Sequence, residues 1–81
     1  MPLIQVKMIE KVFTPVQKQE IITRLTDALV SVEGEALRPY TLVLLEDVGS
    51  GEWAVGGKPF TTEGVHALAA SQSQGGKEKD R

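Results

Sequence analysis

The sequence has no cysteine and a single histidine in 81 residues. Disulfides and Cys-rich metal sites are therefore excluded as staples for a small fold. Aromatic residues are few, namely Phe13, Tyr40, Trp53 and Phe60. The apolar runs, of which Leu42 to Leu45 (LVLL) is typical, fall far short of the ~20 residues a membrane span needs. The N-terminus also lacks the basic-then-apolar order of a secretory signal. A formal charge of -2 offers no clustered positive surface for phosphates. The expectation is a soluble, cytoplasmic protein that binds neither nucleic acid nor membrane. One small domain of this length buries only about 60% of the surface of its unfolded chain. Self-association is then the common remaining way to complete a core.

What is present is strongly patterned. Leu3 to Ile9 (LIQVKMI) alternates Ile4, Val6 and Met8 with Gln5 and Lys7, the period of a strand with one face buried. Thr14, Pro15 and Gln17 supply the cap, first-position proline and capping-box partner that begin a helix. Ile21, Leu25, Ala28, Leu29 and Val32 recur at helical steps, so they are the expected buried stripe. Gly34 is the expected left-handed cap at its end. After a short connection containing Pro39, Tyr40 to Val48 (YTLVLLEDV) reads as a second strand, apolar on both faces.

Strand, helix and strand in this order form a βαβ unit with parallel strands and a right-handed crossover. One helix covers one face of such a sheet, leaving the other face and both edges to a partner. The glycine-rich stretch around Trp53 (GSGEWAVGGKPF) is expected to add a short hairpin or edge strand. Its spacing fits no phosphate-binding glycine motif. A turn or two of helix is expected near Val65 to Ala70. The domain is thus placed at residues 1–70 and a polar, flexible tail at 71–81. The fold class is α/β (α+β), one βαβ unit plus a C-terminal hairpin, completed by oligomerisation.

Three features come together: Pro2 directly before LIQV, Gln17 and Lys18 in a capped helix, and a strand ending EDV (Glu46 to Val48) before WAVGG (Trp53 to Gly57). The sequence resembles the 4-oxalocrotonate tautomerase family, the small-subunit branch of the tautomerase superfamily, over residues 2–57. The resemblance implies a βαβ subunit assembled as a homohexamer, and an isomerase that uses no cofactor and no metal. It also implies that Pro2, freed by removal of Met1, moves protons in keto-enol or double-bond isomerisation of a small 2-oxo or 2-hydroxy acid. Chemistry agrees: an ordinary α-amino group titrates near about 7.7–8.0, and an apolar pocket lowers that value, leaving a neutral base near pH 7. Trp53 stands at the family's aromatic position and would form part of the pocket wall.

The sequence departs from the family at the arginines that hold substrate carboxylates. Their positions fall on Val12 and on Leu42 or Thr41, none of them charged. Lys11 and Arg38 are the candidate replacements, with Lys7 behind them, although each cation also reads as ordinary surface charge. A lysine presents a point charge and not a planar fork, so a smaller or monocarboxylic substrate fits the change better than a dicarboxylate. Two other uses of the fold stay open: a hydratase or dehalogenase chemistry with Pro2 as acid, and a non-catalytic scaffold or hetero-oligomer subunit. His66 reads as a surface or packing residue. Glu46 and Asp47 are adjacent on a strand and point to opposite faces, so they do not form a carboxylate pair.

Overall fold

The computed structural model describes residues 1–75. The chain forms β1 (Leu3–Ile9), α1 (Pro15–Glu33), a 3-10 helix (Glu35–Tyr40), β2 (Leu42–Val48), β3 (Trp53–Val55), β4 (Lys58–Phe60) and α2 (Thr62–Gly75). Strands β1 and β2 pair in parallel with α1 between them in sequence, and β3 and β4 form an antiparallel hairpin. This is the expected tautomerase-like α+β arrangement. Two compact units result, Met1–Met8 with Phe13–Asp47, and Ile9–Val12 with the chain from Val48 onward.

In the first unit, α1 starts as its sequence dictates. The Thr14 hydroxyl accepts the Gln17 N–H at 3.1 Å, and the Gln17 side chain accepts the Thr14 N–H at 2.9 Å. The helix ends at Gly34, which is not left-handed helical but lies at φ 103 and ψ 151. Only glycine occupies that region without strain, so the position still requires it. The connection to β2 is a 3-10 turn containing Pro39, and β2 begins at Leu42, two residues later than expected.

The expected stripe of α1 holds in part: Ile21, Leu25 and Leu29 are partly covered, along with Ile22 and Thr26, and Val30 is buried, whereas Val32 is 85% exposed and Ala28 is also exposed. Adjacent apolar pairs, Ile21 with Ile22 and Leu29 with Val30, let two neighbouring faces satisfy the same helical period.

The terminal rungs of the β1–β2 ladder are Leu42 N–H to Pro2 C=O at 3.0 Å and Glu10 N–H to Val48 C=O at 2.8 Å. Together they set Leu3 beside Leu42 and Lys7 beside Glu46. Ile4, Val6 and Met8 share their sheet face with Val43, Leu45 and Asp47, and Asp47 accepts a hydrogen bond from Lys18 of α1 at 2.8 Å. That face therefore meets the helix. Leu3, Leu42 and Leu44 lie on the other face and are 53%, 46% and 47% exposed. The sequence reads β2 as covered on both sides; within one chain it is covered on one.

In the second unit, the β3–β4 hairpin turns through Gly56 and Gly57 with φ values of 60 and 82. Both being positive is the requirement of a two-residue type I′ turn. Pro59 faces Ala54, the rung next to the closing pair, where a strand residue donates no ladder bond. Helix α2 is longer than one or two turns. The Thr61 hydroxyl caps it by accepting the Gly64 N–H at 3.0 Å, and Ala67, Ala69 and Ala70 carry good helix propensity. The expected tail from 71 thus begins inside a helix, and its residues 76–81 lie outside those described. Among the described residues, no helix is long and apolar enough to cross a membrane.

Thr14→Ala should lower stability by about 1 kcal/mol, the usual worth of a helix N-cap. Urea unfolding at one fixed protein concentration should show a lower midpoint with an unchanged slope; an unchanged midpoint would mean that α1 does not depend on this cap.

Candidate active site

Pro2 stands immediately before β1, half-buried, and its carbonyl is tied to Leu42 by the first rung of the ladder. Met1, ahead of it, is 81% exposed and so accessible for removal. The residue across the ladder from the proline end of β1 is thus Leu42, one of the two places where the sequence resemblance leads one to look for arginine. Thr41, the alternative place, spends its hydroxyl on the Glu33 carboxylate and on the Leu37 carbonyl. The surroundings that this unit gives Pro2 on the strand side are apolar, not cationic.

Arg38 lies in the 3-10 turn, four residues before Leu42, and is paired with two carboxylates. Its Nε and Nη2 donate to the two Glu35 carboxylate oxygens at 3.0 Å each, and its Nη1 donates to Asp27 at 2.9 Å. These bonds hold the Glu35 carboxyl below the usual carboxylate range and push the guanidinium pKa up. A substrate carboxylate would have to compete with these two partners for a two-pronged contact. Lys7 is likewise paired: its ammonium donates to Glu46 at 2.8 Å, beside a bond from the Gln5 amide at 3.2 Å. The Lys7 hydrogen bond, reinforced by its charge, holds the Glu46 carboxyl below its ordinary value. Lys18 pairs with Asp47 and Arg24 with Glu20. Glu46 and Asp47 do point to opposite faces, each to its own lysine.

The second unit carries the other two candidates. Trp53 is half-buried at the start of β3 and faces Phe60 across the hairpin. Lys11, just after β1, is exposed and sits at φ 61, the left-handed region that a lysine rarely adopts. Among the described residues, Lys11 and Lys58 are the cations with no carboxylate within ion-pair distance. Lys58 was not singled out by its sequence context. Facing residues of an antiparallel pair, and alternate residues of a strand, share a side. The hairpin register therefore puts Lys58 on one side with Val55, Trp53 and Phe60, and Ala54 with Pro59 on the other. The two-residue Gly-Gly turn was the signal in the sequence that could have revealed it. Among the described residues, no three acidic or histidine side chains are placed to hold a metal ion.

The family comparison bears on this arrangement directly. The family described as Tautomerase enzyme matches residues 2–63, from the proline to the first turn of α2. The chain belongs to the tautomerase family. No curated protein and no solved structure is significantly similar to it. Tautomerases are isomerase-type enzymes that act on small molecules and typically oligomerise.

In the Lys7→Ala variant, Glu46 should titrate at higher pH than in the wild type. A depressed carboxylate adds stability above its unfolded pKa of about 4.3 and loses it as pH falls through the lower folded value. Carboxyl NMR titration reads the shift; an unmoved Glu46 would remove Lys7 as its cause.

Proposed function

We propose that the protein is a member of the 4-oxalocrotonate tautomerase branch that ketonises a small 2-hydroxy-enoic acid with Pro2 as the proton carrier. The observation that carries this reading is Pro2 at the head of β1, inside a tautomerase-family match that starts at that residue. With Met1 removed, Pro2 presents a secondary amine whose ring fixes the direction of its lone pair. The neutral amine accepts the enol O–H proton as the C2 carbonyl forms, and the C2–C3 double bond electrons take a proton at C3 from the resulting ammonium. The proton inventory balances within one substrate, so no cofactor enters.

Two features support a monocarboxylate over a dicarboxylate. Leucine stands where a guanidinium is looked for at position 42, and Arg38 is already held by two carboxylates. A second substrate carboxylate set beside Leu42 would meet an apolar side chain in place of a cation, which is unfavourable.

The uncovered sheet face supports a homo-oligomer, and a hexamer is the assembly we propose. Leu3, Leu42 and Leu44 present a contiguous apolar patch whose other end carries the Lys7–Glu46 pair. A second copy brought against it buries leucine on leucine. It also closes around Pro2, excluding the water that would keep the amine protonated. Leu44→Lys should shift the mass measured by light scattering toward monomer; an unchanged mass would place the interface elsewhere.

The activity test compares wild type with Pro2→Ala on phenylenolpyruvate and 2-hydroxymuconate after intact mass has established loss of Met1. Positioned acid–base catalysis contributes about 10²–10⁴-fold, so a loss of at least about a hundredfold is expected, with the monocarboxylate preferred in the wild type. Equal rates in the two proteins, or a retained Met1, would leave the tautomerase fold serving as a scaffold.

A further inference from the structure

The turn that carries Lys11 is held by the start of α2, most of which lies beyond the family match. The buried Thr62 donates its hydroxyl to the Glu10 carbonyl at 2.5 Å and its N–H to the Ser50 hydroxyl at 2.9 Å. Ser50 in turn donates its N–H to the Glu10 carboxylate at 3.0 Å, and the Glu10 N–H reaches Val48. One helical turn after Thr62, His66 Nε2 lies 2.9 Å from the Lys11 carbonyl. The Glu10 N–H, carbonyl and carboxylate and the Lys11 carbonyl therefore each have a partner in the same unit.

Such a clamp matters because Lys11 is, among the described residues, the non-glycine residue with positive φ. Lysine has no short polar side chain to stabilise that conformation locally, unlike Asn or Asp. Strain of this kind persists where surrounding contacts over-determine it, and it clusters at binding and catalytic sites. The sign of φ also decides the side of the chain from which Cβ leaves, and hence the cone that the ammonium can sweep. That ammonium has no carboxylate partner, although four of the other five described cations do.

We propose that His66 and Thr62 are positioning residues that hold Lys11 in its left-handed conformation, so that its ammonium receives the carboxylate of a monocarboxylic acid. The inference rests on the tautomerase reading only for the identity of the substrate. His66 acts through a donated N–H, which both the imidazolium and the neutral Nε2–H tautomer supply; the Nδ1–H tautomer would set a lone pair against the carbonyl. It transfers no proton to substrate. Helix α2 is then part of the binding apparatus and not an appendage.

The test uses the full chain and 3-phenylpropanoate, a saturated monocarboxylate that cannot tautomerise, titrated by NMR, alongside phenylenolpyruvate kinetics. Lys11→Gln, Lys11→Gly and His66→Ala should each weaken 3-phenylpropanoate binding about tenfold, the size of one charge-assisted contact. Each should raise KM by a similar factor with kcat within about twofold. His66→Gln, whose amide N–H reaches the same carbonyl, should restore binding. Lys11→Gly should also raise Tm, since glycine relieves the strain while losing the charge. The proposal is overturned if Lys11→Gln or Lys11→Gly binds the probe like wild type, or if His66→Ala lowers Tm with unchanged affinity. Should His66→Ala not fold, His66→Gln carries that arm: wild-type affinity supports the clamp, and a tenfold loss in a folded protein overturns it. Probe affinity does not depend on Pro2, so failure of the tautomerase reading shows separately, as an unchanged rate in Pro2→Ala.

Discussion

A two-stranded parallel sheet with one helix against it can bury only one of its faces. Met8, Ile9 and Val30 are the buried apolar residues among those described, a small core for a chain that must offset the entropy of ordering its backbone. The opposite face keeps Leu3, Leu42 and Leu44 in the open. The same uncovered surface borders Pro2, whose usefulness as a base depends on being kept from water. On the proposed reading, assembly and chemistry are one requirement, since whatever covers the leucines also dries the amine.

Charge is disposed to match. Lys7, Lys18, Arg24 and Arg38 are each matched to carboxylates within the first unit. Exposed pairs of this kind contribute little to stability, yet they take those cations out of competition for a ligand. Among the described residues Lys11 and Lys58 remain, both in the second unit with Trp53. Leu42, beside the proline strand, offers no planar two-pronged donor, and a lysine elsewhere does not supply that geometry. On the proposed reading, the proton carrier at Pro2 is kept while the positions where arginines are looked for carry no charge.

Much of this was legible from local signals. Thr14, Pro15 and Gln17 announced the start of α1, and both capping-box bonds are present. Alternation in β1, the apolar run of β2 and the Gly-Gly turn gave the element order. The face of α1 was legible in part: Ile21, Leu25 and Leu29 are covered as expected, but it is Val30 and not Val32 that packing buries. Gly64 masked the start of α2, whose cap at Thr61 depends on a hydrogen bond that propensity does not reveal. The clamp on Lys11 was beyond sequence reasoning for a plainer reason: its bonds join residues 52 and 55 positions apart. Neither threonine nor a lone histidine signals such a partner. Nor did periodicity show that Arg38 would be occupied by Asp27, which lies on a different element.

The central claim is that the Pro2 nitrogen is a free amine kept neutral near pH 7 by apolar cover. Its most direct test is an NMR titration of the ¹⁵N-labelled Pro2 nitrogen in the intact protein. The account predicts a secondary amine with a pKa below the ordinary α-amino range of about 7.7–8.0. An amine titrating within or above that range, or an amide nitrogen still bonded to Met1, would contradict it.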